Sequence, residues 1–398
     1  VFPNEFDPGT MWRLLPALPL AWAWWDNGHM LVAEVARQQL NENEVKIING
    51  LLEDWSDEFP GTSDLVTAAV WPDQLKCGSH STICPRDQLE NIHLFDPWHF
   101  DERPYNPDGL KLPDCTDQWM PNPSASFTLT SAMVSMSSSN SRFTFNFMLR
   151  WVLHLVGDIH QPLHTANGYF NDASHGYLPY GDRGGNRIPV VSSCGANNLH
   201  FYWDSAACEY LQNWSPDFPE RPALIANASS LIAQYPKSSF AGRYNWDKIQ
   251  NCWSQLRQAT SKSKAFDTCQ DVFVGWVNDT FDVGVAGAYN GISKNSEIPA
   301  EYATWAKELA RKQIVLGGYR LGDFLRLVAQ QGGEAQARKQ SGWDNITKIF
   351  AALTAVFATL FLVLMICFLK LRRRMVTSPR DVATFELNAA RNDLRGMI

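Results

Sequence analysis

Along most of this chain the apolar positions recur at the three- and four-residue spacing of one helix face, and no alternating run long enough for a half-buried strand stands out. The densest such stretch is Phe143 to His160, which carries Trp151-Val152-Leu153-His154-Leu155-Val156-Gly157-Asp158 and is closed by Pro162. Ahead of it, helical spacing covers Met30 to Leu40, with Asp26 or Asn27 placed to cap it, then Asn43 to Trp55 and Asp64 to Leu75. The Pro-flanked, aromatic-rich segment Ile92 to Glu102 reads as a loop or irregular strand. Residues 103 to 142, rich in Pro, Asn and Ser, read as surface connection with a helical turn or two from Thr128 to Met136. Residues 165 to 198 form a Gly/Asn/Tyr-rich excursion before helical spacing resumes at Leu199 to Asp204. It returns at Pro222 to Gln234, Asn245 to Lys262, Ala265 to Phe281 and Pro299 to Gln330. These patterns predict an all-α domain, mainly helical, without internal repeats.

Two stretches do not fit a soluble core. Ile349 to Leu369 runs without a charge, long enough to cross a bilayer as a helix, and Lys370, Arg372, Arg373 and Arg374 follow at once. Near the other end, Arg13, the apolar Leu14 to Leu20 and the small-x-small Ala21-Trp22-Ala23 read as a secretory signal peptide cleaved before Trp24. The expected organisation is upstream carry-over at 1–10, a signal peptide at 11–23, a domain at 24–330, a polar stalk at 331–348, a transmembrane helix at 349–369 and a cytosolic tail at 370–398. That describes a type I single-pass membrane protein of the secretory pathway, with its domain outside the cell. Four Asn-x-Ser/Thr sequons (Asn213, Asn227, Asn278, Asn345) agree with this compartment, as does the presence of seven of the eight cysteines before the span. The pairing stays open, although Cys77 and Cys84 could close a short loop and the odd count leaves one cysteine over.

The net charge is −7, and the segment from Lys370 onward is basic, so the rest is more acidic still. No basic stripe runs along the chain, which excludes a protein that tracks phosphates with its own lysines and arginines. If nucleic acid is handled, bound cations must supply the positive charge.

The cations have candidate ligands. His154 and Asp158 stand four apart in the central helix and share one face, and His200 and Asp204 repeat the spacing. With the Trp24 amine, His29, Asp73, His99 and His164 they form a set of nine, mixed imidazole and carboxylate, which suits zinc. Nine ligands are too many for one ion and fit three, with one carboxylate bridging.

Together these residues resemble the class I zinc nucleases, which include mung-bean nuclease, the single-strand-specific fungal nucleases and the protozoan 3′-nucleotidase/nucleases. The motifs that carry the resemblance run in family order from Trp24 to about Gln330. They are Trp24 with His29 five residues on, Trp71-Pro72-Asp73 with Lys76, Trp98-His99-Phe100, His154 through Asp158 to Gln161-Pro162-Leu163-His164, Gly184-Gly185-Asn186, Leu199-His200 with Trp203-Asp204, and Gly318-Tyr319-Arg320-Leu321. The resemblance implies a fold of the phospholipase C/single-strand nuclease type around three Zn2+. Asp73, His99, His154 and Asp158 would hold the first, Trp24, His29 and Asp158 the second, and His164, His200 and Asp204 the third. It further implies hydrolysis of single-stranded DNA and RNA and of 3′-nucleotides, by metal-bridged hydroxide attack on phosphorus. Asp73 would orient the water, Lys76 neutralise the phosphate, Asn186 contact it and Phe100 stack an unpaired base. The pattern resembles zinc phospholipase C less closely: Trp24 and His29 stand nearer together than in that branch, and Asp204 takes the place of its glutamate.

Overall fold

A computed structural model describes residues 24–77, 84, 93–112, 123–213, 215, 218–244, 246–259 and 262–376. The proposed carry-over, signal peptide and most of the proposed tail, together with His80 and Cys115, lie outside them. The chain divides into two units, residues 1–335 and 336–398.

In the first unit the helices are α1 (Asp26–Arg37), α2 (Glu42–Leu52), α3 (Trp71–Gln74), α4 (Ala125–Ser138), α5 (Arg142–Asp158), α6 (Leu199–Asp204), α7 (Arg221–Gln234), α8 (Trp246–Gln258), α9 (Lys262–Tyr289) and the start of α10 (Ala300–Val376). Sequence-local caps start several of them. Asn41 and Glu44 form a reciprocal capping box at α2, and Ser124, Ser141 and Asn198 accept from the backbone of the first turns of α4, α5 and α6.

The beginning of α1 departs from this rule. Neither Asp26 nor Asn27 caps it; both fall inside the helix, and no side chain caps Trp25. Distant contacts hold this end instead, with Trp25 N donating to Asp204 O at 2.8 Å and Asn27 Nδ2 to Gln212 Oε1 at 2.6 Å. Residues Asp26 to Ala36 are all buried, so α1 is a core helix and not an amphipathic surface one.

Other boundaries also moved. The segment expected as loop or irregular strand is a 3-10 helix at His93–His99. The helix expected over Asp64 to Leu75 is a 3-10 turn, Thr67–Val70, running into the short α3. α4 is longer than its apolar pattern because Asp101, fully buried, accepts from both Ser126 N (2.8 Å) and Ser126 Oγ (2.7 Å) at its first turn. The excursion holds three of four three-residue strands: β2 (Ala166–Gly168) pairs in parallel with β1 (Arg103–Tyr105) from the connecting segment, and β3 (Phe170–Asp172) pairs antiparallel with β4 (Gly176–Leu178).

Two apolar clusters flank the central region. One gathers α1, α2, α4, α5, α8, α9 and the first part of α10, with Trp24, Trp71 and Trp151 among its largest members. The other joins Leu163, Phe170, Leu199, Trp203 and Tyr289. α10 contains no proline and continues as helix through the segment read as a stalk. Its stretch Thr347–Arg373 is long and apolar enough to cross a membrane, and its described apolar side chains are exposed.

Among the described residues, disulfides close Cys77–Cys84, Cys194–Cys208 and Cys252–Cys269, and Cys367 is free. The first is the short loop the spacing allowed.

Candidate metal centre

The nine predicted positions come from six places in the chain and are all buried. α5 delivers His154 and Asp158 on one face, with His154 Nε2 3.5 Å from Asp158 Oδ2. α1 brings His29 Nε2 to 3.4 Å from Asp158 Oδ1 and stacks its ring on His154, centroids 3.8 Å apart. His99, ending its 3-10 helix, places Nδ1 3.0 Å from Asp158 Oδ2 and 3.9 Å from Asp73 Oδ1. Asp158 thus presents one oxygen to His29 and the other to His99 and His154, as a carboxylate between two ions would. The turn Pro162–His164 and α6 supply the rest, with Asp204 3.7 Å from His164 Nε2 and 3.5 Å from His200 Nε2.

Three trios result: His29, His154 and Asp158; Asp73, His99 and His154; His164, His200 and Asp204. Within each, the ligand atoms lie within 4.8 Å of one another. Both ring nitrogens of His29, His99 Nε2, Asp73 Oδ2, Asp158 Oδ1 and Asp204 Oδ2 are buried without a hydrogen-bond partner. Orphaned polar atoms are costly in a protein interior. So many facing one another in nitrogen–oxygen groups fit cations and are hard to explain as packing.

Backbone carbonyls orient three of the imidazoles. Ala69 O, His99 O and Gly184 O accept from Nδ1 of His154, His164 and His200 at 2.7, 2.8 and 2.6 Å. A ring that donates through Nδ1 turns the Nε2 lone pair to the site. Gln161, within the motif but outside the nine candidate ligands, donates from Nε2 to Asp204 Oδ1 at 2.7 Å, while its Oε1 accepts from Leu163 N. Its only sequence signal was its place between the His/Asp helix and His164.

Trp24 is fully buried, and its indole donates to Gly157 O at 2.9 Å, beside Asp158. Lys76 Nζ lies 2.7 Å from Asp73 Oδ1. Phe100 is half-buried and stacks one face on His164, centroids 4.6 Å apart. Asn186, also half-buried, donates to Arg183 O and follows Gly185, which packs on the His200 backbone. Asp101 is taken up by Ser126 and is closed to any substrate. Glu102 is the acid left half-exposed beside Phe100. Of the remaining described histidines, His160 faces away, between Val156 O and Arg320 Nη1; His175 packs on Phe170; and His93 is exposed beside Asp96.

Gly157 is a position where spacing alone said nothing. A Cβ there would fall 2.7 Å from His29 Nδ1, inside contact distance. Gly157→Ala is therefore expected to displace the His29 ring and weaken metal binding about 10- to 100-fold, the range seen when groups supporting a ligand are lost. Metal content after dialysis against graded chelator, compared with a Gly→Ala change at exposed Gly275, measures this; equal retention would refute it.

Burial dominates the electrostatics. It holds His29, His99 and His164 well below the usual imidazole range and His154 down at about 3, and it pushes Asp158 and Asp204 well above the carboxylate range. Histidines with a depressed folded value stabilise the metal-free fold at neutral pH, and that contribution is lost as pH falls from ~6.5 through the folded values. Carboxylates with a raised folded value act in reverse: their contribution is complete below ~3.9 and is lost as pH rises through the folded values. Bound dications offset that second loss. The gain in Tm on adding zinc to chelator-stripped protein should therefore grow with pH between ~4 and ~8. Melting curves across that range test it, and a flat gain would contradict it.

Residues 24–330 match the family model described as S1/P1 Nuclease. The chain is similar to Endonuclease 2 of Arabidopsis thaliana, 23% identical over 326 residues that cover 80% of this chain and 94% of that one. It is 24% identical over 322 residues to Nuclease S1 of Aspergillus oryzae, covering 78% and 94%. To Endonuclease 4 of Arabidopsis thaliana it is 28% identical over 323 residues, covering 77% and 90%.

Proposed function

The chain belongs to the S1/P1 nuclease family, and from that premise we propose that it is a zinc-dependent phosphoesterase. It hydrolyses single-stranded DNA and RNA to 5′-phosphorylated products and removes the 3′-phosphate from nucleotides. The observation that carries this reading is the set of three buried His/Asp trios with Asp158 reaching across the first two.

Three zinc ions would be held by Asp73, His99, His154 and Asp158; by Trp24, His29 and Asp158; and by His164, His200 and Asp204. When bound, they supply the Lewis acidity and activated water for attack on phosphorus. The protein's own groups do the rest. Lys76, buried against Asp73, offers a cation where charge grows on the phosphate oxygens. Asp73 Oδ2, which makes no hydrogen bond, is free to orient water. Phe100 has one face on His164 and the other for a base, and a base in a duplex cannot present its face. Asn186 contacts the phosphate from the loop that also orients His200. The helix Thr347–Arg373 anchors the enzyme in the membrane, residues 11–23 direct it outward, and the disulfides suit the oxidising side.

A product assay on single-stranded RNA and on a 3′-mononucleotide, run with chelator and after zinc is restored, tests the reading. Mononucleotides and inorganic phosphate should appear, vanish with chelator and return with zinc. Activity indifferent to chelator, or release of phosphocholine from lecithin in their place, would overturn it.

A further inference from the structure

The segment from β4 through Arg187 has features that neither the metal centre nor the core uses. Tyr177 is 70% exposed and Tyr180 78%, and among the described residues outside the apolar span no other two aromatics this exposed stand within four positions of each other. Single exposed apolar side chains are ordinary. Here one ring on β4 and another on the turn after it share a short segment with Arg183 and Arg187, both exposed, in a domain that is otherwise acidic.

The loop is firmly held. Asp182, fully buried, accepts from Gly168 N at 2.6 Å and Gly185 N at 2.7 Å, while its own N–H donates to Gly168 O. Arg183 N donates to Asn167 Oδ1, and Arg187 keeps its shape through Gly181 O. β4 is paired to β3, with Tyr177 opposite Asn171. The loop is also continuous with the site, since Gly184 O orients His200 and Arg183 lies within electrostatic reach of Glu102, two residues from Phe100. Three residues of chain span at most about 10 Å, which keeps Tyr180 near Arg183.

We propose that Tyr177, Tyr180, Arg183 and Arg187 form a second landing site for single-stranded nucleic acid, stacking unpaired bases beyond the one at Phe100 and meeting the phosphates between them. Sequence-tolerant binding of single strands needs this pairing of aromatic faces with nearby cations. The inference rests on the nuclease reading and adds to it a preference for polymers over single nucleotides.

The test compares the wild type with Y177A/Y180A, Y177F/Y180F and R183A/R187A, all zinc-loaded. The substrates are a dinucleoside monophosphate and an oligothymidylate long enough to reach both sites. For Y177A/Y180A, KM on the oligomer should rise at least about fivefold, the low end for losing one base–aromatic stack, with dinucleotide turnover unchanged. Y177F/Y180F should retain wild-type KM because the ring face is kept. R183A/R187A should flatten the dependence of oligomer KM on salt. Equal changes on both substrates would show that the loop merely supports His200, and no change on the oligomer would show that nothing lands there; either overturns the proposal. If the wild type cleaved neither substrate, the nuclease reading would fall. Anisotropy of a labelled phosphorothioate oligomer would then decide the landing site: weaker binding by Y177A/Y180A supports it, and equal binding or none refutes it.

Discussion

Asp158→Ala is expected to release more than one of the bound ions and to lower turnover about a thousandfold, since losing ~4 kcal/mol of transition-state stabilisation gives that factor. One carboxylate belongs to the first trio, facing His29 with Oδ1 at 3.4 Å, and reaches His99 of the second with Oδ2 at 3.0 Å, so its removal takes an oxygen from beside both. His200→Ala should mainly weaken the third ion, because His200 faces only that trio, with Nε2 3.5 Å from Asp204. Stability distinguishes a metal ligand from a structural carboxylate. A buried carboxyl with an orphaned oxygen costs free energy when no ion is present. Asp158→Ala should therefore lower the Tm of zinc-loaded protein but leave that of chelated protein equal or higher. Metal analysis by mass spectrometry and paired melting curves check both parts. Full zinc content in Asp158→Ala would remove Asp158 from the centre, and a lower Tm in the chelated form would make it a folding residue.

The second large effect concerns Trp24. An α-amine can ligate an ion only when it is free, and it titrates near ~8, whereas a peptide nitrogen has no lone pair to give. Signal cleavage after Ala23 would thus also be a step in assembling the site. The Trp24 side chain is held beside the trios, its indole fixed to Gly157 O next to Asp158 and its Cβ packed on Gly28, where an added Cβ would come within 2.7 Å. An Ala23→Arg variant that blocks cleavage is expected to lose at least one zinc and to keep less than about a tenth of the activity, a deficit of more than ~1.4 kcal/mol in the barrier. N-terminal sequencing identifies the uncleaved form, and metal analysis of the same sample counts its ions. An uncleaved protein with full zinc and normal turnover would sink the idea.

Much of the site was legible because metal chemistry restricts residue type and helices restrict spacing. His154 with Asp158, and His200 with Asp204, needed only the four-residue repeat to share a face, and the structure shows them facing one another at 3.5 Å. Supporting groups left no such trace. Ala69 O and Gly184 O are backbone atoms that any residue carries, and Gly157 matters only because His29 arrives beside it from a helix far away in sequence. Asp101 shows the converse: it adjoins the aromatic-His motif in sequence, yet it is buried and anchors the start of α4.

By itself the sequence determined the helical class, the ligand chemistry and the apolar span, because these depend on side-chain type and local period. The tertiary structure alone decided which carboxylate oxygen meets which histidine, that Cys194 pairs with Cys208 and Cys252 with Cys269, and that α1 is buried on all sides. It also decided how the central feature works. The helix ends at Asp158, and the turn at Pro162–His164 lets one short stretch face all three trios. Those outcomes depend on contacts between segments distant in the chain, whose energies no local pattern encodes.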